Sequence, residues 1–176
     1  MKRPMEVRRP VRVTHAWTQS LDGTPDEVLP LLCPVREVEW VPGWAPHLVV
    51  SDSGFVERDC VFTTADAAAG EGAEAVWTVL DFDVAAHRVE MLKITPGFLV
   101  VRLSITLEPL GAAGCHAHVT YRYTALGGAG EDYVRARTSE AYAAFMREWE
   151  NELNAYLRAR RAGPPDGSDG NVDAGS

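Results

Sequence analysis

The sequence predicts an α+β fold in which seven antiparallel strands are followed by a long C-terminal helix. Three observations predict it. Residues 11–18 and six later stretches alternate apolar and polar side chains with period two, the mark of half-buried strands. Short runs of turn residues separate those stretches, and short connections join antiparallel neighbours. From about residue 131 the period changes to three and four and holds to residue 161, the spacing of one helix face.

The first strand places Val11, Val13, His15 and Trp17 on one side and Arg12, Thr14, Ala16 and Thr18 on the other. Thr24-Pro25-Asp26-Glu27 then reads as a capping box, with Pro25 at the first helical position and Glu27 three residues after the cap. Pro34 ends that helix near Cys33 and opens a second short one over 35–40, stopped by Pro42-Gly43. Strands are expected near 48–52, 57–64, 74–81, 88–95, 99–108 and 115–125. Ser53-Gly54, "AAAGEG", "DVAA", Pro96-Gly97 and "LGAAG" separate them.

A three-residue loop at Pro96-Gly97-Phe98 would pair Thr95 with Leu99. Val89, Met91 and Lys93 then share a face with Leu99, Val101, Leu103 and Ile105, while Arg88, Glu90, Arg102, Ser104 and Thr106 take the other. A one-residue slip would scatter charges among the leucines. Ala117, Val119, Tyr121 and Tyr123 continue the apolar face, and Trp77 and Val79 join it. The helical stretch carries acids at its start and Arg158, Arg160 and Arg161 at its end, before Gly163-Pro164. Its apolar stripe is Val134, Thr138, Ala141, Tyr142, Phe145, Trp149, Leu153 and Tyr156.

The 176 residues suit one domain, and 46% are apolar, enough for a sizeable core. The expected organisation is a flexible basic arm over 1–9, a domain over 10–161 and a disordered tail over 162–176, whose Gly, Pro, Ser and Asp have little to bury. No stretch approaches the roughly 20 apolar residues of a membrane span, and the basic N-terminus has no apolar segment of a secretory signal behind it. Three scattered cysteines point to a reducing, cytoplasmic setting. A net charge of −8 repels phosphate backbones, so nucleic acid is not expected as a partner. A homodimer is compatible with the chain.

The order of one strand, two small helices, six strands and a long helix, with the runs "CPVREVEWVPGW", "ERDCVFTT", "VTYRYTAL" and "WENELNAYL", resembles the START-like superfamily (SRPBCC), which includes polyketide cyclases and carriers of hydrophobic ligands. The resemblance covers roughly residues 10–160. It implies a helix-grip fold, in which a curved sheet wraps the long helix, a cavity lies between them and the small helices close one end. It transfers no activity, because the superfamily shares a cavity and not a chemistry.

On that frame Trp40 and Trp44 read first as a hydrophobic clasp, with Trp44 near the cavity end. Glu37 and Glu39, two apart on a helix, point in different directions. They are expected to be solvated or paired with Arg36, one at most facing the cavity. His116 and His118 share a strand face as metal ligands can, but no third ligand is near, and no metal or cofactor is expected. His15 reads as a hydrogen-bonded core histidine and His47 as a residue near the cavity end. Gly127-Gly128-Ala129-Gly130 lacks the Lys-Ser/Thr of a phosphate loop and reads as a joint. No nucleophile–base pair stands out, and no catalytic residue is assigned.

Three functions fit. The first is binding of a small hydrophobic molecule by Trp44, Trp77, Met91, Tyr121, Tyr123, Phe145 and Trp149, the two phenols orienting it. The second is a polyketide cyclase or aromatase that uses the same cavity. The third is a cavity-poor interaction module with these aromatics as its core. The residues do not decide whether the protein is an enzyme.

Overall fold

The computed structural model describes residues 5–163. Its strands are β1 (Arg12–Leu21), β2 (Leu48–Val50), β3 (Val61–Ala65), β4 (Glu74–Asp83), β5 (Arg88–Thr95), β6 (Leu99–Leu110) and β7 (Gly114–Ala125), and its helices α1 (Pro25–Val28), α2 (Gly128–Ala136) and α3 (Ser139–Ala162). The strands form one antiparallel sheet in the order β1-β7-β6-β5-β4-β3-β2. Of the expected arm, residues 5–9 are exposed and have no regular structure. Of the expected tail, Ala162 closes α3 and residues 164–176 lie outside the described residues. No described helix is long and apolar enough to cross a membrane.

The β5–β6 turn is the three-residue loop the sequence predicts. Thr95 pairs with Leu99, and Gly97 supplies the left-handed residue at φ +74. Every strand residue on the expected apolar face except Trp77 and Lys93 is buried. On the outer face Arg102 pairs with Glu90 at 2.5 Å, and Arg88 with Asp81. Between Val79 and Asp81 the pairing slips by one residue, so Leu80 is extra, and Phe82 comes opposite the buried Val89. This is a β-bulge, which bends a strand and increases its twist.

Three elements differ from expectation. The strand expected over 57–64 begins only at Val61. Ahead of it, the Glu57 carboxylate accepts from Ser51 Oγ at 2.7 Å and Ser53 N at 3.2 Å, and ties residues 51–57 into a loop. The second small helix shrinks to a single 3-10 turn, Glu37–Glu39. The long helix is broken. Thr138 has extended backbone (φ −69, ψ 161), and its side chain caps α3 by accepting from Ala141 N at 3.1 Å. Thr138 is therefore a cap and not part of the apolar stripe.

Two polar side chains fix α3 to β1. Gln19 Nε2 donates to the Met146 carbonyl at 2.9 Å. Asn154 donates to the Ser20 carbonyl at 2.9 Å and accepts from Asp22 N at 2.8 Å. Tyr142, Met146, Leu153 and Leu157 bury the core side of α3, which leaves Phe145 and Trp149 half-buried on a second line.

Candidate functional site

A cavity of about 330 Å³ lies between the sheet and the helices. Its sheet wall contains a row of cross-strand partners, Trp77 to Lys93, Lys93 to Val101 and Val101 to Tyr123. Tyr121 lies in the next row. The opposite wall is Tyr133 of α2, Arg137 at the α2–α3 break, and Phe145 and Trp149 of α3; Val41 and Trp44 close one end. Val101, Tyr121 and Tyr123 are buried, while the other lining residues are partly exposed.

Six of the seven side chains expected to line the cavity do so; Met91 does not. Met91 belongs to the row Val79, Met91, Leu103, Tyr121. That row is packed into the core, and within it only Tyr121 reaches the cavity.

The run from Cys33 to Trp44 is a clasp. Trp40 Nε1 donates to the Leu31 carbonyl at 2.9 Å and Trp44 Nε1 to the Pro34 carbonyl at 2.8 Å. Trp40 is buried edge-on against Trp149, and Trp44 meets Phe62 and Trp77 edge-on. Trp44 thus both closes the loop and lines the cavity. The two carboxylates separate completely. Glu39 is exposed and binds Arg36 through two contacts, at 2.8 and 3.1 Å, and accepts from Tyr156. The Arg36 hydrogen bonds, and then that of Tyr156, hold its pKa down to about 2. Glu37 is buried instead, contrary to the expected solvation, and burial pushes its pKa up to about 8.

The polar groups of the cavity are few. Lys93 Nζ is 2.9 Å from the buried Asp66 carboxylate, which also accepts from Thr95 Oγ1 at 2.6 Å. The Arg137 guanidinium covers Tyr133 at 4.4 Å and donates to its hydroxyl. The chain has five tyrosines. The hydroxyls of Tyr133, Tyr142 and Tyr156 have protein partners, and the two tyrosines that remain, Tyr121 and Tyr123, line the cavity. Burial raises both phenols above the ordinary tyrosine pKa, Tyr121 most strongly.

The chain matches no sequence-family profile. No curated protein matches it by sequence. Solved structures do match. Norcoclaurine synthase from Thalictrum flavum, in complex with dopamine and hydroxybenzaldehyde, superposes with TM-score 0.61 at 11% identity, over 90% of this chain and 96% of that one. The Mll3558 protein from Rhizobium loti gives TM-score 0.58 at 16% identity, over 85% and 100%. Ara h 8.0201 gives TM-score 0.58 at 15% identity, over 84% and 98%. The chain has the helix-grip α+β fold.

Within this helix-grip frame the remaining polar candidates lie away from the cavity. His47 is exposed and meets Glu74 at 3.2 Å. His118 bonds Glu108 and Thr18, both at 3.1 Å, and His116 faces Ser20 at 3.4 Å on the outer side of the sheet. No metal-holding cluster occurs among the described residues. His15 stacks on Tyr142 and hydrogen-bonds the Arg137 carbonyl at 2.5 Å. Gly130 is a packing glycine, since a Cβ there would stand 1.9 Å from the Phe98 carbonyl oxygen. The three cysteines are free and buried.

Sequence reasoning missed Lys93, Arg137, Tyr133, Val41 and Val101. The register already put Lys93 and Val101 on the inner face. Arg137 was hidden by reading one continuous helix, although Thr138-Ser139-Glu140 carries a cap signal.

A second depression, about 360 Å³, is lined by Leu29, Pro30, Phe55, Val56, Phe82 and Val84 among others. Its charged side chains are already engaged, Asp26 with His87 at 2.9 Å and Arg36 with Glu39. It offers a ligand no free polar group of the kind that Tyr121 and Tyr123 offer.

Proposed function

We propose that the protein binds a small, ring-containing hydrophobic molecule in the cavity between sheet and α3. The observation that carries this reading is the pairing of an aromatic cavity with two phenols, Tyr121 and Tyr123, that have no protein partner among the described residues. Ligand pockets are mostly apolar, with a few polar groups that fix orientation, and start at roughly 300 Å³. A volume of about 330 Å³ suits a molecule of one to three rings. A neighbour of the same fold holds dopamine and hydroxybenzaldehyde, molecules of that kind. The cyclase reading has the raised phenols of Tyr121 and Tyr123 inside the cavity in its favour but no carboxyl beside them, since Glu37 does not line it.

The test is a fluorescence titration with N-phenylnaphthylamine, an apolar probe that brightens on burial. One-to-one saturable binding is expected. It should be lost in Val101→Phe, which fills the floor of the cavity, while thermal melting still shows a folded protein. Absence of saturable binding by the wild type would overturn the reading.

A further inference from the structure

The charges around the cavity do not cancel. Lys93 and Asp66 neutralise one another at 2.9 Å. Among the described residues Arg137 has no such partner: its guanidinium lies over Tyr133 and, at 5.9 Å, over Tyr123, and its side-chain bond goes to a neutral phenol. Among the described residues the other arginines without an ion pair are Arg9, Arg12, Arg122, Arg147 and Arg160, and all are exposed; Arg137 alone is half-buried. A partly desolvated cation without a counter-ion is costly, and a bound anion repays that cost. The local excess of one positive charge stands out on a chain of net charge −8.

The two cations line different parts of the cavity. Lys93 and Tyr123 sit in the same cross-strand row, with Val101 between them. Strands are about 4.8 Å apart, so their backbones are about 10 Å apart. The Lys93 ammonium lies over the Trp77 ring at 5.6 Å and on Asp66, on the side away from Tyr123, whereas Arg137 lies over the Tyr123 ring. At neutral pH the buried Glu37 stays protonated, so it adds no negative charge near Tyr121.

We infer that the ligand is an aromatic acid: a small ring system carrying one carboxylate, which pairs with Arg137. A guanidinium fork matches the two oxygens of a carboxylate and holds its charge at every accessible pH. This inference rests on the cavity reading above and narrows it to one substrate class.

The experiment displaces bound N-phenylnaphthylamine with naphthylacetate and, in parallel, with the corresponding naphthylethanol, which has the same rings and no charge. The full chain is used at neutral pH. The acid is expected to displace the probe at concentrations about tenfold lower than the alcohol, as a charge-assisted hydrogen bond requires. In Arg137→Gln that advantage should disappear while the alcohol still competes. Arg137→Lys, which keeps the charge and loses the fork, should retain only part of the advantage, and it decides the matter if Arg137→Gln does not fold. A saturable probe displaced equally by acid and alcohol overturns the inference and leaves the cavity reading intact. So does an acid preference that survives Arg137→Gln, or one that Arg137→Lys leaves unchanged. A probe that never saturates overturns both.

Discussion

Trp40 and Trp149 meet edge to face, with ring centroids 5.2 Å apart. The contact ties the loop after α1 to the middle of α3, and the Trp40 indole also satisfies the Leu31 carbonyl. Trp40→Ala removes a buried ring and orphans that carbonyl, so it should cost ~3–5 kcal/mol. The denaturant midpoint should fall with the slope unchanged. Trp44→Ala, at a half-buried position, should cost less stability and weaken probe binding. A loss under ~1 kcal/mol at Trp40 would show that the loop does not depend on its clasp.

Glu37 makes stability depend on pH. Its carboxyl titrates near 4.5 in an ordinary setting and near 8 when buried in the fold. Tyr121 of β7 is a titratable group that senses it, and the neighbouring Glu39 is occupied by Arg36 and Tyr156. Between pH 4.5 and 8 the folded state keeps a proton that the unfolded chain has released. This contribution to stability is fully present below 4.5 and is lost as pH rises to about 8. Glu37→Gln removes the titration. It should melt like the wild type near pH 4.5 and be more stable by a few kcal/mol near pH 8. Parallel melting curves for the two proteins across that range would refute the assignment.

The sheet was legible because its faces are chemically distinct. Arg102 and Glu90 fall together on the outer face in one register only, and Pro96-Gly97 makes the matching turn. Three cavity residues, Trp77, Tyr121 and Tyr123, were legible for the same reason: inward aromatics on strands have few other places to go; Phe145 and Trp149 came from the helix stripe and Trp44 from the run before β2. Met91 read as their equal because periodicity assigns a face but does not say which part of that face stays open. Glu37 was unreadable because its burial depends on the path of a 3-10 turn, which is set by tertiary contacts such as Trp40 with Leu31. The Thr138 break was obscured because threonine fits both a helix stripe and a cap.

The glycines at the start of α2 should respond in opposite directions. A Cβ on Gly128 would meet nothing within 4 Å, whereas one on Gly130 would stand 1.9 Å from the Phe98 carbonyl oxygen. Helix propensity alone favours alanine over glycine by about 1 kcal/mol. Gly128→Ala should therefore stabilise by up to about that amount. Gly130→Ala should destabilise, because the clash forces the β5–β6 turn away from α2. The measurement is the pair of melting temperatures. Two gains of equal size would show that the turn does not hold against the helix.

Tyr121 and Tyr123 separate a carrier from an enzyme. They lie two apart on β7, so both rings face inward, and they stack with centroids 5.7 Å apart. Burial keeps both phenols protonated at any ordinary pH, which makes them hydrogen-bond donors to a ligand. If the protein only binds, Tyr→Phe at either position should leave the melting temperature nearly unchanged. It should weaken a ligand with a polar handle, such as naphthylethanol, by about 0.5–1.5 kcal/mol, the net worth of one hydrogen bond. N-phenylnaphthylamine, with less to accept from the phenol, should lose less. If a phenol instead acts as a general acid, the substitution should spare affinity and lower turnover of a polyketide-like substrate by roughly 100-fold or more. Probe titration beside a cyclisation assay reads both quantities on the same variants. Affinity and turnover that both stay at wild-type values in the two variants would remove these phenols from either role and leave recognition to the rings and to Arg137.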